Sequence, residues 1–114
     1  MPSCLQAVIG AGAAGLVAAK ELRAEGHQVH IFEQGSSVGG VWAYVDEVDA
    51  DPLGATATQR VVHSSMYQSL RTNLPREIMG FVDFPFDPDF LGPYSTDPRR
   101  FCGHREVPKG FLPR

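Results

Sequence analysis

The stretch CLQAVIGAGAAGLVAAKELRAEGHQVHIFE, Cys4 to Glu33, decides the fold. Cys4 to Ile9 is a short apolar run stopped by Gly10, the pattern of a strand covered on both faces. Ala13 to Glu25 is rich in strong helix formers, and charge enters only in its second half. Gly26 stands where a helix C-terminus favours glycine. Gln28 to Glu33 alternates and is β-branched or aromatic, which predicts a second strand. Strand, helix and strand within about thirty residues make a βαβ unit, so the two strands should run parallel with a right-handed crossover.

Gly10-Ala11-Gly12-Ala13-Ala14-Gly15 fits GxGxxG. The pattern alone is weak; its position after a strand and at the start of a helix is the confirming context. Gly10 allows a tight turn out of the strand. Gly12 leaves room for a pyrophosphate where a Cβ would collide, and Gly15 lets helix and strand pack closely. The helix start offers unpaired N–H groups and partial positive charge to phosphate oxygens. Since Lys20 is the first basic residue, the backbone must hold the phosphates. Glu33, at the end of the second strand, is where an acid accepts hydrogen bonds from a ribose 2′-hydroxyl. Its charge would repel a 2′-phosphate, so the adenosine half of NAD or FAD is expected, not NADP. The predicted fold class is α/β, a Rossmann-like βαβ unit.

Gln34 to Trp42 reads QGSSVGGVW. In two-Rossmann flavoproteins a loop here folds back along the flavin's pyrophosphate and ribityl chain, and simple dehydrogenases lack it. Beyond it the pattern weakens. Val41 to Val48 reads as extended, Asp49 to Ala57 as a solvated turn, and Val61 to Leu70 as mixed. Pro75 to Phe81 reads as a short helix with Pro at its first position. Phe84 to Pro98 holds four prolines in fifteen residues and forms no long regular element. Two strands alone cannot cover themselves, so the irregular, Pro-rich C-terminal half leaves the α/β domain incomplete.

Composition narrows the function further. The chain has 114 residues, one domain's worth, and a net charge of −3. With no basic excess, nucleic acid is a poor partner. The apolar stretch Ala7 to Ala19 lacks a preceding Lys or Arg and carries three spaced glycines, so it is neither a signal peptide nor a membrane span. Cys4 and Cys102 are far apart with no CxxC, which fits a reducing compartment, and a cytoplasmic location is expected. No metal site is expected. Asp49, Asp51 and Gly54 open like a calcium loop, but Arg60 stands where the bidentate Glu belongs, which leaves a solvated acidic loop. His63-Ser64-Ser65 has no acid in register and reads as a local turn. His27 and His30 read as structural. Arg99, Arg100, His104 and Arg105 form a basic patch, either solvated or paired with acids outside this chain. Phe81, Phe84, Phe86 and Phe90 read as packing.

Taken with GAGAAG, Glu33 and Gly39-Gly40-Val41-Trp42, two further stretches make the chain resemble a flavin-containing monooxygenase. They are YQSLRTNLPREIMGFVDFPF, Tyr67 to Phe86, and DPRRFCGHREV, Asp97 to Val107. The resemblance is narrower still to the plant members that S-oxygenate methylthioalkyl glucosinolates. It implies FAD as cofactor and NADPH as co-substrate, with one oxygen atom passed to a soft sulfur or nitrogen of a thioether or amine. It implies that Gly10, Ala11, Gly12, Ala13, Ala14 and Gly15 hold the pyrophosphate, Glu33 the ribose, and Gly40, Val41 and Trp42 the flavin region. Thr72 and Asn73 would then stand beside the isoalloxazine and nicotinamide, Asn73 as the catalytic amide, which donates and accepts without titrating. Without the resemblance, Asn73 reads as a turn or helix-start residue.

The family's second GxGxxG is absent, and Val107 stands where its FxGxxxHxxx(Y/F) signature requires His. Cys102 replaces a usual Pro, and Pro108 to Arg114 should not be helical. The resemblance therefore implies that residues 1–114 are a partial, truncated FAD-binding domain without the NADPH-binding domain, catalytically inactive alone. The rival expectations are a non-catalytic flavin-binding fragment, a dominant-negative partner of a longer homologue, or half of an NAD-linked dehydrogenase. Uncovered strand edges should make the isolated chain marginally stable.

Overall fold

The structure is a computed structural model that describes residues 2–45 and 64–111. The acidic loop 49–60 and residues 46–48, 61–63 and 112–114 lie outside the described residues. The chain opens with strand β1 (Leu5–Ile9), helix α1 (Ala13–Ala24) and strand β2 (Gln28–Phe32). The two strands pair in parallel, from Leu5 opposite Gln28 to Ile9 opposite Phe32. The ladder is prolonged by Gln28 N–H to Cys4 C=O (3.0 Å) and Gly10 N–H to Phe32 C=O (2.7 Å). Helix α1 closes with two bonds, Gly26 N–H to Arg23 C=O and His27 N–H to Leu22 C=O, each 3.0 Å. This pair satisfies two carbonyls that the helix itself cannot. The predicted βαβ unit is therefore present, with strand and helix limits close to those expected.

Coverage of β1 differs from expectation. Helix α1 covers one face of the pair, and on the other Leu5 and Ile9 are 68% and 81% exposed. A strand needs a layer on each side to be buried, and among the described residues only one helix packs on this sheet.

The rest of the chain folds as short pieces. A 3-10 turn covers Gly40–Trp42, where an extended segment is expected, because Trp42 and Ala43 N–H groups turn back to Gly39 and Gly40. A second covers only Arg76–Ile78. Pro75 is its cap with extended ψ, not its first helical residue. Helix α2 (Pro88–Leu91) starts under the Asp87 carboxylate, which accepts the Asp89 N–H at 2.7 Å, and a 3-10 turn at Gly92–Tyr94 follows. The last described element, His104–Gly110, corrects another expectation. It is a 3-10 run that passes through Pro108. Glu106 N–H bonds Gly103 C=O on one side and Phe111 N–H bonds Pro108 C=O on the other. Proline lacks a donor, but it can open a fresh turn, as it does at a helix start.

The hydrophobic core lies in this irregular half. Phe86, Leu91, Cys102 and Val107 are buried together, with Trp42, Met79, Phe84 and Phe111 packed around them. A polar centre adjoins it: Arg76 and Glu106 are 2% and 1% exposed and pair at 3.6 Å. Arg76 also donates to Phe86 C=O (3.0 Å) and Asp97 C=O (2.7 Å), and its guanidinium lies 4.3 Å from the Phe86 ring centre. Among the described residues no helix is long and apolar enough to cross a membrane.

Candidate functional site

The turn from β1 into α1 is built as the glycine spacing predicts. Gly10 has φ +94°, a left-handed conformation that a side chain resists. A Cβ on Gly15 would stand 2.0 Å from the Gly10 carbonyl oxygen, so only glycine lets the helix start this close to the strand. Gly12 has no such internal conflict. The nearest atom to a Cβ there is Gly40 Cα, at 3.7 Å. Among the described residues no side chain comes within 4 Å of that position. No side chain caps α1 and no acid lies in its first turn, so its leading N–H groups, at Ala13, Ala14 and Gly15, keep their positive field.

Glu33 reaches this turn. One carboxylate oxygen accepts the Ala11 N–H and the other the Gly35 N–H, both at 2.7 Å. These backbone donors, Ala11 first, hold the Glu33 carboxyl below the usual glutamate range. A carboxylate has about four acceptor positions, so lone pairs remain for sugar hydroxyls. The Ala11 N–H itself is committed to Glu33, which narrows the set of donors open to a phosphate.

The loop after β2 returns to the same turn. Gly39 N–H bonds Ala11 C=O at 2.9 Å, and a Cβ on Gly40 would stand 2.9 Å from Gly12 Cα. Val41 is exposed, and Trp42 leads away into the core around Phe86 and Val107. Gly10 to Gly15, Glu33 and Gly40 to Trp42 are therefore brought together.

Thr72 and Asn73 belong to the other half. Thr72 is buried, and its N–H bonds Cys102 C=O at 2.9 Å. Asn73 is exposed beside it. Among the described residues no hydrogen bond joins either to the glycine turn; the link runs through Trp42 and the shared core. A bare helix start, a carboxylate beside it and a turn that a Cβ would crowd fit the diphosphate and ribose of a dinucleotide.

Other candidates resolve differently. The arginines of the basic patch are exposed, in line with its solvated reading, and they also pair within the chain, whereas His104 is buried and does not belong to the patch. Arg99 grips Asp97 at 2.6 Å and Arg100 meets Glu77 at 3.1 Å, while Arg105 lies over the Tyr44 ring. Arg99 holds the Asp97 carboxyl well below the carboxylate range. Burial pushes the Cys102 thiol up, away from reactive thiolate. His27 accepts the Cys4 N–H at 3.3 Å, a structural role as expected. Phe84 meets Phe90 edge-on at 5.2 Å, and Phe86 is in the core, so the aromatic residues pack. No group of three or more His, Cys, Asp or Glu among the described residues is placed to hold a metal. Sequence reasoning missed Arg76, Glu106 and Ser64. Each acts through a partner far along the chain, and no local spacing could reveal it.

The NAD(P)-binding Rossmann-like domain family matches residues 8–71. The chain is 62% identical over 103 residues to "Flavin-containing monooxygenase FMO GS-OX-like 2" of Arabidopsis thaliana, covering 89% of this chain and 22% of that protein. It is 61% identical to "Putative flavin-containing monooxygenase FMO GS-OX-like 11" of the same plant, covering 60% of that one. Among solved structures, S-allyl-L-cysteine S-oxygenase from Allium sativum superposes with a TM-score of 0.78 at 55% identity. That match covers 91% of this chain and 23% of the other. The chain thus spans about a fifth of the length of most of these relatives.

Proposed function

We propose, from the premise that this chain belongs to the NAD(P)-binding Rossmann-like domain family and reproduces a segment of plant flavin-containing monooxygenases, that it binds FAD. In this reading the N–H groups of Gly12, Ala13 and Ala14 and the close-packed Gly10 and Gly15 receive the diphosphate. Glu33 takes the adenosine ribose while it keeps Ala11 fixed. Gly40, Val41 and Trp42 line the path toward the flavin, and Thr72 and Asn73 flank its ring, with Asn73 as the catalytic amide. FAD, when bound, would supply oxygen activation with NADPH as hydride source, for S-oxygenation of a thioether in the full-length family. The chain's own residues bind, orient and shield.

The observation that carries this reading is the convergence of the uncapped α1 start, the Glu33 carboxylate and the Gly39–Trp42 loop on one turn. Titration with FAD and with NAD, separately, tests it: FAD should bind more tightly, and a preference for NAD rejects it. Only one GxGxxG is present in the sequence, so the chain alone, given NADPH, oxygen and a thioether, should form no sulfoxide above background. Two free, distant cysteines agree with work in a reducing compartment such as the cytoplasm.

A further inference from the structure

We propose that Ser64 is a positioning residue of the dinucleotide site, the clasp that holds the Gly39–Trp42 loop over the glycine turn; this rests on the reading that the turn binds FAD. The Ser64 hydroxyl donates to the Val41 carbonyl at 2.7 Å and accepts the Met66 N–H at 3.3 Å. It is therefore used in both directions, with its proton committed to the loop and not to its own turn. The loop needs such a tie. Gly40 has no side chain, has φ +58°, and can approach Gly12 only because Gly40 itself lacks a Cβ, which would stand 2.9 Å from Gly12 Cα. Val41 is 64% exposed, so packing does not anchor its side chain. On one side of Gly40 and Val41, Gly39 is bonded to Ala11 C=O; on the other, Trp42 is set into the core. The Ser64 bond falls between these two fixed points, on the residue that packing leaves free. The N–H of the Val41–Trp42 peptide, that of Trp42, donates to Gly39 C=O at 3.1 Å, so the Ser64 hydroxyl on its carbonyl fixes the other end of the peptide, and with it the path of the loop backbone beside a ligand lying along it.

The position in the site predicts a selective effect. ADP reaches only the turn and Glu33, whereas FAD continues past the diphosphate along the loop. The test uses the whole 114-residue chain and calorimetric titration with both ligands. S64A should raise the FAD dissociation constant about three- to tenfold, the range of one net hydrogen bond, and leave that of ADP unchanged. S64T keeps the hydroxyl and should bind FAD as the native chain does. Equal weakening of both ligands by S64A means a general structural role and overturns the proposal, as does S64A with unchanged FAD binding or S64T behaving like S64A. If the native chain binds ADP but not FAD, or neither, the flavin reading itself fails and takes the clasp with it.

Discussion

The Glu33 carboxylate and the Ala11 N–H meet at 2.7 Å across the end of the sheet, so the acid we propose for the sugar also fixes the turn we propose for the phosphates. The second oxygen on Gly35 N–H extends this grip to the following loop. One side chain thereby couples the two walls of the candidate site.

That coupling has a pH dependence with a definite sign. The bonds from Ala11 and Gly35 lower the folded-state pKa of Glu33 below its ordinary value, so their contribution is complete above the ordinary glutamate range. It is lost as pH falls through the lowered, folded-state value. The Ala11 amide proton, followed by NMR, should titrate with a midpoint below that of an unperturbed glutamate, and E33Q should abolish the step. A midpoint at or above the ordinary value would contradict the arrangement.

Gly12 and Gly15 should respond differently to alanine. At Gly15 a Cβ collides with the Gly10 carbonyl oxygen, so G15A should cost about 1–3 kcal/mol in urea unfolding. At Gly12 the same methyl finds only ordinary contact within the protein, so G12A should unfold like the native chain yet lose ADP and FAD. Retained binding in G12A would place the ligand elsewhere.

Arg76 and Glu106 form the buried ionic centre of the C-terminal half. Burial opposes the charge on Glu106, but bonds from Lys109, Ser95 and Thr96 outweigh it and hold its carboxyl below the usual range. R76M leaves that charge without its guanidinium. Lys109 still pairs with Glu106 at 2.8 Å, so the cost should fall below the about 3–5 kcal/mol of a buried charge left alone, and the 64–111 half should lose protection in hydrogen exchange. The double variant R76M/E106L should recover part of the loss; strict additivity would show that the two residues do not interact.

The open face of the sheet sets solution behaviour. Leu5, Ile9 and Phe32 are exposed on one side, a patch that favours self-association. L5E should reduce concentration-dependent light scattering while shifting the unfolding free energy by less than ~0.5 kcal/mol, as for a surface substitution. Unchanged scattering would clear this face of blame.

What could be read from residues alone was local. Helix-forming composition from Ala13, the alternation at Gln28 to Phe32 and glycines at 10, 12 and 15 each act within a few bonds of backbone. The βαβ unit and its turn followed from them, and so did the stop at Gly26. The weaker segments depart from expectation where a local rule meets a distant partner. Pro75 became a cap because Arg76 turns inward to Phe86 and Asp97. Pro108 lies within a 3-10 run because the residues around it are buried against Phe86, Leu91 and Cys102.

The chain by itself therefore determined the glycine turn that we propose as the dinucleotide site, since the steric limits there are set by neighbours in sequence. Only the tertiary structure decided that the core lies in the irregular half, that Arg76 answers Glu106, and that Ser64 holds Val41. Those pairs are remote along the chain, and their energy exists only once the backbone's path has brought them within bonding distance.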